Sequence, residues 1–381
     1  MANNQKGIKL IINVLSMLVA LPTGLLVAMK GFKAGMHLLM IYVVLLVSIG
    51  LAVVLQTAIH EAGHMLFGLL TGYRFLSYRV LSFFVNLEDG KLKVGKFSLP
   101  GTLGQCLMAT PLDRERRPYF FYNAGGVIIN LLSAFVCYLI AFTTKSTVAA
   151  MFMAINGMYA LIMAISNGIP FSGNGVANDG CNIKELHDHP ETIDTFYNML
   201  DLNEMMLKGR RTADIPKEMI DLRETTLRSG SLGASNLIWQ ENKLMDKHQF
   251  KKAGELIQEI FEKEYPLIDL HKKLLLLDQK YLDCLNGRFE DITDKKTLKY
   301  IEGSRKSTLS VIRYLYARAL YLKDEKEADK NLQVFASLQK DYPFQGEYQS
   351  EKEFMERAEA KLQKAKSRKR STKRTDDTID M

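Results

Sequence analysis

Apolar residues gather in four long runs within the first 170 positions, at roughly 8–29, 37–70, 121–142 and 147–169. Each run reaches the ~20 residues that a helix needs to cross the hydrocarbon core of a bilayer. The pattern predicts four membrane-spanning helices. The first run follows Lys6 and Lys9, as a secretory leader would. It is long, however, and no small-x-small cleavage site stands out, so it reads as a retained anchor.

Between the second and third runs the period changes from helical to alternating. YRVLSFFVNLEDGKLKVGKFSLPG reads as two strands turned by Asp89–Gly90, a β-hairpin over about 76–99. From about 185 onward apolar positions recur at helical spacing, and no further run is long enough to span. The segments 236–266 and 310–343 share a form: an apolar-faced helix, a charged turn, a second helix with Ala253 or Ala328 near its start, and a closing Tyr-Pro. They resemble imperfect tetratricopeptide-type hairpins. The last stretch, 361–381, has no apolar period and is dense in Lys and Arg, which predicts disorder. The expected fold is therefore mainly α. A multi-pass transmembrane helical core with a small re-entrant or membrane-surface β-hairpin fills 1–185, an α-helical, tetratricopeptide-like cytoplasmic domain fills 186–360, and a basic tail follows.

Charge sets the expected sidedness. The Tyr73–Tyr119 loop carries Arg74, Arg79, Lys91, Lys93, Lys96, Arg114, Arg116 and Arg117, whereas Thr143–Thr147 offers Lys145 alone. The positive-inside rule puts the first loop in the cytoplasm. With four spans, both termini then face the cytoplasm of a cell-membrane protein, although Lys30 and Lys33 in the first connection weigh against it. The net charge of +8 comes largely from the tail, which suits anionic headgroups of the lipid bilayer better than nucleic acid. No glycine-rich phosphate loop accompanies these residues, so nucleotide hydrolysis lacks support. Four scattered cysteines, with no CxxC pair, indicate neither a disulfide framework nor a thiolate metal site.

The second run holds TAIHEAGHMLFG, residues 57–68. Residues four apart on a helix share a face, so His60 and His64 can direct two imidazole nitrogens at one ion. Glu61 beside them completes HExxH, in which the carboxylate acts as general base toward water. A carboxylate at the centre of a spanning helix costs roughly 2.5–3.5 kcal/mol unless it meets a cavity, a partner or a metal. The motif lies in the C-terminal half of its run, near the cytoplasmic side, where water reaches it. Zinc with an open position needs a third protein ligand. Asp179, in the Asp179–Gly180 pair after the Pro170 helix stop, is the first candidate; His187 and His189 in KELHDHPE are rivals in a charged stretch.

Three motifs in this order resemble the site-2 protease family of intramembrane zinc metalloproteases. HEAGH at 60–64 matches the family's HExxH, GGVIINLL at 125–132 looks like its AGPxxN segment, and Asn167, Pro170 and Asp179–Gly180 resemble its NxxPxxxxDG segment. The likeness covers roughly residues 40–185. It implies one zinc ion held by His60, His64 and Asp179, Glu61 as general base, and Asn130 and Asn167 near the active cavity. It further implies hydrolysis of a peptide bond in or next to a transmembrane segment of a membrane protein or signal-type peptide, with a sheet edge beside the site to receive the unwound segment. The chain departs from the family pattern in two places. Val127 stands where proline is common, and four extra residues separate Pro170 from Asp179, which leaves Asn178 or Asn174 as alternative ligands. The competing expectation is a catalytically silent membrane scaffold that binds a protein partner through its helical domain.

Overall fold

The computed structural model describes residues 2–88, 90–99, 101–113, 118–172 and 177–376, with backbone alone for 2–4 and 363–376. It divides into two compact units: residues 1–95 with 101–204, and residues 96–100 with 205–381.

The four apolar runs of the first unit form α1 (Ala2–Lys33), α2 (Leu38–Leu70), α3 (Tyr119–Thr143) and α4 (Thr147–Gly168). All four are long and apolar enough to cross a membrane. Their outer faces expose Leu18, Leu46, Leu132 and Phe135, side chains that lipid accommodates and water penalises. The chain is a membrane protein with a helical core. The helix α4 packs on α1, α2 and α3, and α2 also packs on α3. Val27, Ile41, Ala52, Ala141, Met151, Ala154 and Ile155 form the apolar cluster among them.

The 33 residues of α2 extend about 50 Å at 1.5 Å each, well beyond the ~30 Å hydrocarbon core. Its buried positions include Ser48, Ala52, Gln56, His60, His64 and Gly68, one every fourth residue. The polar members of this stripe face the bundle interior because lipid offers them no hydrogen bonds. Near its end α2 crosses α3 closely: a Cβ on Gly63 would lie 2.4 Å from the Gly125 carbonyl oxygen.

Between α2 and α3 lies an antiparallel sheet of four strands, β1 (Arg74–Val80), β2 (Phe83–Glu88), β3 (Lys91–Lys96) and β4 (Gly104–Ala109), in the order β3-β2-β1-β4. The expected single hairpin is thus corrected to a larger sheet. The β2–β3 turn falls at Gly90 as anticipated, with Asp89 outside the described residues. The first expected strand breaks at Leu81, whose φ of 53° is left-handed. Leu81 is held there by its N–H on the Leu103 carbonyl at 2.6 Å. The strand β4, GQCLMA, lacks alternation and β-branched residues, so pairing with β1 decides its conformation. Both β1 and β4 pack on α2.

After α4 the chain enters α5 (Asp179–Asp188) and α6 (Ile193–Leu207). The expected boundary at 185 falls inside α5, and the first unit continues to Glu204. The reason is specific contact: Phe196 and Tyr197 reach Tyr122 and Tyr73, Thr110 donates to Asp201 at 2.6 Å, and Arg74 pairs with Glu204 at 3.1 Å.

The second unit is helical: α7 (Lys217–Ile220), α8 (Glu224–Ser229), α9 (Ser231–Asp246), α10 (Phe250–Glu262), α11 (Asp269–Leu285), α12 (Lys295–Ser304), α13 (Leu309–Leu322), α14 (Glu325–Leu338) and α15 (Gln345–Asp376). The two anticipated hairpins correspond to α9 packed on α10 and α13 packed on α14, with Ala253 and Ala328 buried. Segment 96–100 belongs to this unit, where Phe97 meets Tyr342 edge-on at 5.2 Å. The core also holds charge. Glu241, Asp278, Arg313 and Glu351, one each from α9, α11, α13 and α15, are all buried, and Arg313 bridges Asp278 and Glu351. The helix α15 runs to Asp376, where Lys, Arg, Ala and Gln are good helix formers. Residues 377–381 lie outside the described ones.

Candidate metal centre

His60 and His64 stand one turn apart on the buried stripe of α2, and Asp179 opens α5. Among the described residues these three form the one group whose ligand atoms converge tightly enough to hold a metal ion. The two Nε2 atoms are 3.2 Å apart, and Asp179 Oδ2 lies 3.2 Å from His60 Nε2 and 3.4 Å from His64 Nε2. Ligand atoms bound tetrahedrally at 2.0–2.1 Å stand about 3.4 Å apart. The spacing fits zinc.

The hydrogen bonds behind the ligands define their protonation. His64 Nδ1 lies 2.8 Å from the Tyr122 carbonyl oxygen, which can only accept, so Nδ1 carries the proton. His60 Nδ1 lies 2.6 Å from Asn130 Oδ1, and the Asn130 amide nitrogen turns instead toward Gln56 O and Oε1. In neutral rings both Nε2 atoms then present bare lone pairs to each other and to Asp179. Asp179 Oδ2 is itself buried and has no bond of hydrogen-bond geometry, close as the two imidazoles are. Three facing acceptors are stable only with positive charge between them, either added protons or a cation. Burial alone would raise the Asp179 pKa, but His64 and His60 outweigh it and hold the carboxyl below the usual range.

Backbone placement is equally specific. Asn178 caps α5: its Oδ1 accepts from Cys181 N at 2.9 Å and Phe171 N at 3.1 Å, while its Nδ2 donates to Ser166 O at 2.7 Å and Ile169 O at 2.6 Å. These bonds tie the start of α5 to the segment after α4 and present Asp179 to the histidines. Asn178 is therefore a cap and Asp179 the residue at the cluster; Asn174 lies outside the described residues. His187 and His189 do not join the cluster but lie beside Asp188 and Glu191. A Cβ on Gly126 would lie 2.5 Å from His60 Cε1 and 2.6 Å from His64 Nε2, so α3 can approach the ligands only as glycine there.

Glu61 is buried beside the ligands, its side chain against the Cα of Gly104 at the head of β4. Asn130 is fully buried and supports His60 from behind. The Asn167 amide donates to Met163 O of its own helix at 3.0 Å. Sequence reasoning missed Gln56, Tyr122, Gly104 and Arg79. For Gln56 the signal existed, since it lies one turn before His60 on the same stripe. The buried Arg79 guanidinium is pushed down by burial and back up by the Glu61 carboxylate. In the second unit an open groove of about 1050 Å³ runs between α10 and α11, lined by Phe250, Gly254, Phe261 and Leu282.

Comparison with protein-family models, with curated proteins and with solved structures finds no match to the chain.

Proposed function

We propose that the chain is an intramembrane zinc metalloendopeptidase that hydrolyses a peptide bond in or next to a transmembrane segment of its substrate. The observation that carries this reading is the convergence of His60 Nε2, His64 Nε2 and Asp179 Oδ2, with Glu61 alongside, inside a bundle of spanning helices. Two imidazoles and one carboxylate are the donor set of a catalytic zinc site with an open position. Zinc held there supplies Lewis acidity toward the scissile carbonyl and toward water.

The chain's own residues do the rest. Glu61 takes a proton from the attacking water and passes it to the leaving amine. Asn130 and the Tyr122 carbonyl hold the two imidazoles in the tautomer that leaves Nε2 free. The edge strand β4, beside Glu61, receives the unwound substrate segment as an added strand, since a peptide bond within a helix is shielded from attack. Both termini face the cytoplasm, following the basic loop between α2 and α3. The helical unit, with its repeat-like hairpins, binds a protein partner, and the basic helix end meets anionic lipid.

The test compares wild type with Glu61→Gln and His64→Ala, purified in detergent. Zinc per chain is measured by elemental analysis, and cleavage of co-expressed single-span membrane peptides by gel shift. The expected outcome is one zinc in wild type and Glu61→Gln, less in His64→Ala, and cleavage by wild type alone. Absence of zinc from wild type would sink the reading and favour a silent scaffold.

A further inference from the structure

Arg79 has no place in the reading above, yet it is almost wholly buried in the sheet next to Glu61. Its Nη1 donates to the Leu81 carbonyl at 2.6 Å, and its Nη2 donates to Thr102 Oγ1 at 2.5 Å and to the Gly104 carbonyl at 3.2 Å. One guanidinium thus fastens the β1–β2 turn to the segment that leads into β4. Gly104, at the end of that segment, is the residue on which the Glu61 side chain rests. A Cβ there would lie 2.4 Å from Glu61 Oε1 and 2.8 Å from Thr57 Cγ2. Burying a guanidinium for sheet stability alone is a poor exchange, because its desolvation offsets most of what its bonds contribute.

We infer that Arg79 is a positioning residue for Glu61: by holding Thr102 and Gly104, it fixes the backbone wall that sets where the Glu61 carboxylate lies. The inference rests on the metallopeptidase reading and assigns it a residue outside the metal ligands and the general base. Charge alone does not meet the need. A lysine makes a single point contact where the planar guanidinium spans three acceptors, so Arg79→Lys retains part of the clamp and Arg79→Met none.

The test uses the full chain in detergent, loaded with cobalt(II) in place of zinc, and acetohydroxamate as probe. The probe chelates the metal through its two oxygens, and its hydroxyl proton is taken by the neighbouring carboxylate. Cobalt absorption bands report both loading and probe binding without any substrate. Arg79→Met is expected to load one cobalt per chain, as wild type does, but to bind acetohydroxamate at least tenfold more weakly. Gly104→Ala and Glu61→Gln should reproduce that loss, and Arg79→Lys should recover part of it. Hydrogen exchange at the Leu81 amide, which bonds Leu103, should quicken in metal-free Arg79→Met.

Wild-type probe affinity in loaded Arg79→Met, or in Gly104→Ala, would overturn the inference and leave the metallopeptidase reading standing. Failure of wild type to take up cobalt would overturn both. Should Arg79→Met fail to fold, Arg79→Lys and Gly104→Ala decide, since neither removes a group from the metal site.

Discussion

Substituting Gly126 by alanine adds one methyl group, on α3, directly over the two histidines. The new Cβ would lie 2.6 Å from His64 Nε2 and 2.5 Å from His60 Cε1, whereas ordinary contacts begin near 3.4 Å. The shift required is thus about 0.8 Å. Backing α3 away would open its close glycine packing on α2 at Gly63 and Gly125, where a Gly63 Cβ would lie 2.4 Å from the Gly125 carbonyl oxygen. Most of the displacement therefore falls on the imidazoles, and a zinc site tolerates only about 0.2 Å in its ligand distances. We expect zinc affinity to fall by at least a hundredfold, about 2.7 kcal/mol, with a further ~1–3 kcal/mol lost from folding stability through overpacking. Competition with a fluorescent chelator in detergent measures the first, and thermal unfolding followed by circular dichroism the second. Gly50→Ala, on α2 with nothing within 4 Å of its Cβ, is the matched control. Zinc affinity within threefold of wild type in folded Gly126→Ala would refute the geometry on which the metal reading depends.

Removing the support behind one ligand should be milder: Asn130→Ala deprives His60 Nδ1 of its acceptor and is expected to weaken zinc binding about ten- to a hundredfold, read by the same competition. Zinc uptake should weaken by about tenfold or more per pH unit as the solution is acidified, because protons compete for the same lone pairs; a flat profile from pH 7 to 5 would exclude histidine ligation. In the helical unit, burial pushes the Glu351 carboxyl from 4.5 up to about 8 despite the neighbouring Arg313. The folded state keeps that proton after the unfolded chain has released it, so its contribution to stability is full below pH 4.5 and is lost as pH rises through 8. Thermal unfolding of the full chain should accordingly move to lower temperature between pH 5 and 9, and Glu351→Gln should flatten the trend. Arg313→Leu, which leaves the buried Asp278 and Glu351 without their guanidinium partner, should cost this unit about 3–5 kcal/mol, measured by denaturant-dependent hydrogen exchange.

The four spans were legible from residue type alone, because a bilayer imposes a length and an apolarity that any window of the chain either meets or fails. His60, Glu61 and His64 were legible for a related reason: their relation is set by the pitch of a single helix, a local quantity. The hairpin pairs α9–α10 and α13–α14 also followed from local periodicity and turn chemistry. Asp179 stood in the sequence as one candidate among several. It lies 115 residues beyond His64, and contacts made on folding, the side-chain bonds of Asn178 among them, bring it to the imidazoles.

What pairing and packing decide could not be read in advance. The strand β4 has no strand signature and exists because β1 offers it an edge. The break at Leu81 depends on Leu103 and Arg79, 22 and two residues away. Gly104 is an unremarkable letter until a carboxylate is found against it, and the contact of Gly126 with two imidazoles appears only in the fold. The sequence by itself determined the long apolar helices and the chemistry at hand, since both rest on composition and on contacts within one helix. The tertiary structure alone decided which distant carboxylate meets the histidines, which amide supports them and which backbone Glu61 rests on. Those contacts join residues far apart in sequence, and no local period encodes them.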